Sequence, residues 1–167
     1  MKEFRITTAI IILLLFGLNG LQAQTTQTKL NQVELMKQFL GNWKAEFGKD
    51  TTINKETISF GDGIESNGQI VTKGEILVSL KQLWGYDEKN NKFIFVELNK
   101  SSPVIEMCAT WFTSKNTGET VLFQDISNPE NAVFKWKFEF KSPNKIIHTA
   151  LWNNKVVKTV TFNRVGK

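Results

Sequence analysis

From Gly41 to Arg164 the chain is a succession of short segments in which apolar and polar residues alternate. On a strand, residues two apart point the same way, so this period separates a dry face from a wet one. Phe134, Trp136, Phe138 and Phe140 alternate with Lys135, Lys137, Glu139 and Lys141 in the clearest case. Trp43, Ala45 and Phe47 oppose Lys44 and Glu46. Ile70, Thr72, Ile76 and Val78 share a face, as do Leu80, Gln82, Trp84 and Tyr86. Turn-forming clusters separate the segments: Gly61-Asp62-Gly63, residues 87–91, 99–103 and 114–118, Ser127-Asn128-Pro129, Ser142-Pro143-Asn144 and the two-residue hairpin Asn153-Asn154. The pattern predicts an all-β fold of about ten antiparallel strands, near 42–48, 54–60, 68–78, 80–86, 92–98, 104–113, 119–126, 132–141, 145–152 and 155–164.

Ten strands joined by tight turns make a sandwich or a closed barrel, and closure removes the sheet edges that invite pairing with other chains. One short N-terminal helix precedes them. Leu30, Leu35 and Phe39 fall near helical spacing, Asn31 can cap the start, and Gly41 ends it. Two residues at opposite ends of the sheet choose between the architectures. Trp43 stands on the first strand, and Arg164, the only arginine beyond residue 23, stands on the last. They meet only if the terminal strands pair. An indole face attracts a guanidinium by roughly 0.5–2 kcal/mol, so Trp43 and Arg164 are the expected floor of an up-and-down barrel. The alternative is an exposed arginine at a frayed end.

The N-terminus reads as an export signal in residues 1–23. Lys2 and Arg5 precede an apolar run from Ile6 to Leu18, and Leu21-Gln22-Ala23 offers a cleavage site. At about 13 residues the run is short of the ~20 a bilayer requires, so no lasting membrane insertion is expected after cleavage. No cysteine follows it to take a lipid. Residues 24–29 form a polar, flexible tail, and residues 30–167 form a single barrel domain large enough to bury roughly two-thirds of its unfolded surface. The expected location is secreted or periplasmic. Beyond residue 23 there are nineteen basic against fifteen acidic residues, a net charge of +4. The lysines are scattered, which argues against nucleic acid and for a solvated exterior. Cys108 is the only cysteine and cannot form an internal disulfide. Nothing in the sequence sets the oligomeric state.

The helix, the string Gly41-Asn42-Trp43 leading into the first strand, and the late Arg164 resemble the lipocalin-like, or calycin, group of β-barrels. Phe39-Leu40-Gly41-Asn42-Trp43-Lys44 also looks like small secreted bacterial lipocalin-like proteins. The resemblance implies an indole across the barrel floor with the arginine packed on it, and a small hydrophobic ligand inside. Ten strands rather than eight lean toward the fatty-acid-binding-protein and nitrobindin-like branches. The loop motifs of the vertebrate family are missing, so its ligands and receptors are not carried over.

Ligand sites are concave, mostly apolar, and carry a few directed polar groups. If each strand keeps its alternation, Trp84, Tyr86, Phe95, Trp136, Phe138 and Trp152 face inward, with Gln82, Tyr86, Thr72 and His148 to orient a ligand. The opposing possibility is that the aromatics fill the lumen. His148 resembles the late-strand haem ligand of nitrobindin-like barrels, but the rest of that motif is not evident and no cofactor is expected. One histidine and one cysteine cannot make the usual zinc set. Glu106, if it faces the lumen, pairs with His148 in the competing enzyme reading, as general acid or base on an apolar substrate. Gly61-Asp62-Gly63 precedes no helix and is a turn rather than a phosphate loop.

Overall fold

A computed structural model describes residues 29–166. The expected export signal and nearly all of the tail lie outside them. Among the described residues no helix is long and apolar enough to cross a membrane. The ten strands are β1 (Gly41–Glu46), β2 (Thr51–Phe60), β3 (Gly63–Thr72), β4 (Glu75–Asp87), β5 (Lys92–Asn99), β6 (Ile105–Phe112), β7 (Thr117–Leu122), β8 (Phe134–Ser142), β9 (Lys145–Trp152) and β10 (Lys155–Arg164). Each pairs antiparallel with its sequence neighbour, and β10 pairs with β1, so the sheet closes into an up-and-down barrel. The closing register sets Trp43 directly against Arg164.

The expected break near residue 79 is corrected. Strands expected at 68–78 and 80–86 are really β3 and β4, divided by a two-residue turn at Lys73-Gly74, both with positive φ (52° and 85°). A bulge beside that turn sets Ile70 against Val78 and Val71 against Ile76. The bulge brings Val78 back onto the face of Ile70 and Thr72, which is why alternation hid the turn, but Ile76, opposite Val71, falls on the other face and is corrected.

Helix α1 (Gln32–Met36) and the 3-10 turn Lys37–Phe39 lie across one end of the barrel. Asn31 caps α1 by accepting from the Glu34 N–H at 3.2 Å. So short a helix is held by its contacts rather than by propensity. Gln32 is buried and clamps the end of β6, donating to Phe112 O (2.9 Å) and accepting from Phe112 N (2.7 Å). The turn delivers Phe39 into the barrel among Phe138, Phe140, Trp84 and Phe112, with ring centroids 5.0–6.1 Å away.

Trp43 and Arg164 complete this floor. Trp43 is 2% exposed and donates through Nε1 to Phe39 O at 2.8 Å. The Arg164 guanidinium stacks 4.2 Å from the indole centroid. It donates through Nε to Pro143 O (3.0 Å), through Nη2 to Gln38 O (3.1 Å) and through Nη1 to Leu40 O. Gly41 is required here on two counts. Its φ is +113°, and a Cβ would collide with Arg164 Nη1. The Gly-Asn-Trp string thus has a steric cause.

The β7–β8 connection does not cover the opposite end. It folds down the outer wall, where Ile126 and buried Ala132 pack on Ala109, Val121, Ile94 and Trp111 in a second small core. Lys92 lies 3.8 Å over the Trp111 ring and donates to Ile126 O at 3.2 Å. Lys135, which alternation points outward, is buried beneath the connection and donates to Pro129 O at 3.1 Å.

Candidate functional site

Above the aromatic floor the barrel holds a cavity of about 360 Å³. The floor rings therefore fill one half of the lumen and leave the other hollow. Ile53, Ile70, Leu80, Leu122, Phe134 and Val160 supply apolar wall. Lys55, Gln82, Glu97, Glu106, Thr120, His148 and Lys158 are among its polar groups. A larger hollow of about 670 Å³ lies between β1 and β4, lined largely by Asn42, Asn54, Glu56, Asn67, Gln69 and Lys81. Most of these residues alternate with the lumen-facing ones, so that hollow is an open groove on the outer wall. It shares Trp43, Asn54, Lys55, Gly68, Gln69 and Leu80 with the inner cavity.

Six of the expected ligand residues line the cavity: Gln82, Trp84, Phe95, Trp136, Phe138 and His148. Tyr86 and Trp152, expected beside them, do not. Tyr86 packs at the floor end against Phe93 (5.4 Å) and donates to Asn91 Oδ1 (2.8 Å). Trp152 is 54% exposed beyond the other end of the cavity, 6.3 Å from Phe134. Alternation gave both the correct face, but not their height along the barrel. Thr72 is engaged with Thr51 through their hydroxyls (2.9 Å) at the last pair of the β2–β3 ladder. Glu106 does line the cavity, near its open side, directly across the β5–β6 ladder from Glu97.

A short chain of polar contacts orders one wall. Trp84 stacks on Phe95 (4.8 Å, 19°) and donates through Nε1 to Gln82 Oε1 at 3.2 Å. Gln82 in turn donates through Nε2 to Glu97 Oε2. From β2, two strands along the sheet, Lys55 extends over the floor, its Nζ 5.1 Å from the Trp84 centroid and 6.0 Å from Phe39. Among the described residues it makes no ion pair or hydrogen bond through that nitrogen. Burial pushes its pKa down to about 8, with Glu97 acting in the opposite direction.

His148 is enclosed by aromatic rings, with Phe162 at 5.3 Å and Phe39, Phe138 and Trp136 at 6.3–6.4 Å. Burial, and secondarily the charge on Lys55, pushes its pKa down to about 3, so the imidazole is neutral near pH 7. Both side chains keep some accessible surface because they face the hollow, yet protein surrounds them. Cys108 also borders the cavity, and burial, with Glu106 and Glu97 adding to it, raises its thiol to about 12. It is a small apolar wall residue rather than a nucleophile.

The end opposite the floor is rimmed with exposed apolar side chains. Ile76 and Leu77 follow the β3–β4 turn, Val104 and Ile105 open β6, Phe123 follows β7, and Val156 and Val157 open β10. Among the described residues no cluster of three or more His, Cys, Asp or Glu side chains is placed to hold a metal ion. No family model and no curated protein sequence matches the chain. The fold itself is a ten-stranded antiparallel barrel consistent with the calycin type.

Proposed function

We propose that this protein is an exported, lipocalin-like carrier that binds one small hydrophobic molecule inside its barrel. The observation that carries the reading is the cavity of about 360 Å³ with an apolar, aromatic wall and a few directed polar groups. Apolar burial of roughly 25 cal/mol per Å² supplies the affinity. Gln82, His148 and the Trp84 and Trp136 rings contact the ligand, and the apolar rim is its route inward. The signal read in residues 1–23 supports a secreted or periplasmic location, with no nucleic-acid partner and no stable membrane insertion after cleavage.

Small molecules released from protein purified from its native host are the direct test. Mass spectrometry should find a bound apolar compound, and an added apolar probe should change the fluorescence of Trp84 and Trp136. A protein that releases nothing and responds to no apolar probe is not a carrier. The competing enzyme reading is weaker. His148 and Glu106 line one cavity, but no hydrogen bond joins them. An imidazole whose conjugate acid has a pKa of about 3 is also a poor proton acceptor at neutral pH. A packed-core interaction module is disfavoured by the hollow half of the lumen.

A further inference from the structure

Lys55 is the group in this cavity that packing does not explain. An ammonium set among Phe39, Trp43 and Trp84 costs free energy unless a counter-charge meets it. Among the described residues no carboxylate lies within ion-pair distance. Glu97 is the nearest acid to act on it, but Gln82 draws the Glu97 carboxylate to its own wall. Lys158, the other lysine bordering the cavity, sits 4.1 Å over the Phe47 ring and is turned away toward the rim. His148 is neutral and adds no charge. The cavity therefore presents one free cation at its floor, with Glu97 and Glu106 side by side on the β5–β6 wall.

Building on the carrier reading, we infer that the cavity selects an apolar molecule with a single anionic head, held head-down so that a carboxylate meets Lys55 and the tail lies along the upper wall. The two glutamates repel that head from β5 and β6 and leave the Lys55 side as its place. The volume sets the length. At ~30 Å³ per water-sized unit, about 360 Å³ accepts roughly a dozen non-hydrogen atoms, the size of a ten-carbon monocarboxylate.

Three probes of one length separate the possibilities: decanoate, decan-1-ol and decylamine, titrated by Trp fluorescence or calorimetry at pH 7. Decanoate should bind at least tenfold more tightly than decanol. Lys55→Met should erase that preference, so that decanoate and decanol bind the variant equally, and Lys55→Gln serves if the first variant folds poorly. In the wild type the preference should shrink between pH 7 and 9.5 as Lys55 loses its proton. Equal binding of acid and alcohol, or a preference that survives in both variants, overturns the head-group assignment and leaves the carrier reading intact. Tightest binding of the amine also overturns it and moves the polar site to Glu97 and Glu106. If none of the three binds, the carrier reading falls as well.

Discussion

Lys55 and His148 are both buried bases, and each ties stability to pH in a defined direction. For Lys55 the folded pKa of about 8 lies below the unfolded 10.5, so the unfolded chain holds more protons between those values. Stability from this group therefore rises as pH climbs from 8 to 10.5, and the penalty is full below 8. Lys55→Met should stabilise the empty protein at pH 7 by up to ~3 kcal/mol, and the gain should fade by pH 10.5; urea midpoints of both proteins across that range measure it. For His148 the window is lower. Its folded pKa of about 3 against 6.5 means stability is intact above 6.5 and is lost as pH falls toward 3. His148→Phe should remove most of that acid loss, on the order of 4 kcal/mol by pH 3, read as the difference between the two acid-unfolding curves. Coincident curves would show that His148 is already solvated. The two residues were not equally legible. His148 follows Ile146 and precedes Ala150 on an apolar parity, so its face could be read. Lys55 sits in Thr-Thr-Ile-Asn-Lys-Glu-Thr-Ile, where both faces are polar and alternation cannot choose the inside. Glu97 shares parity with Phe93 and Phe95, so its face was readable in the same way.

At the scale of elements, the seam between β1 and β10 decides whether the sheet is a barrel. Its ladder pairs only Trp43 with Arg164 and Lys44 with Asn163, so side chains must supplement the backbone there. Arg164 ties the last strand to the α1 turn and the β8–β9 turn through three carbonyls, and stacks on Trp43 besides. Lysine keeps the charge but cannot reach three acceptors with one planar fork. Arg164→Lys should therefore cost about 2–3 kcal/mol, and amide exchange should quicken first in α1 and β1. An unchanged urea midpoint would mean the seam holds by packing alone. This element of the fold was readable in the sequence because it uses rare residues at fixed ends. The β3–β4 hairpin was not. Lys73 carries φ of +52° with no sequence mark beyond the following glycine, and the bulge restores the even parity from Val78 onward. The outer core under the β7–β8 connection was equally hidden, since it is built from Ala109, Val121 and Ala132, which read as ordinary positions on a wet face.

The whole molecule is a barrel packed at one end and hollow at the other, and the two halves should answer opposite substitutions in opposite ways. In the packed half, Phe39 touches four strands' worth of rings and carries no ligand-orienting group. Phe39→Ala removes a buried aromatic whose surroundings cannot collapse, because the strands are fixed by closure. The expected cost is about 3–5 kcal/mol, while the void it leaves adjoins the cavity and should admit a longer apolar ligand. In the hollow half, Val160 is 5% exposed on β10 and borders the cavity. Val160→Phe places a ring in empty space rather than into packed neighbours. It should leave stability unchanged or raise it by about 0.5–2 kcal/mol, yet weaken binding of any ten-carbon probe at least tenfold. Thermal melts with and without an apolar probe measure both halves together, because a ligand that binds only the folded barrel raises its midpoint by mass action. Val160→Phe should melt high but lose the probe-induced shift; Phe39→Ala should melt low but keep it. A Val160→Phe protein destabilised like an overpacked core would mean the upper lumen is filled, and the carrier assignment would lose its structural basis.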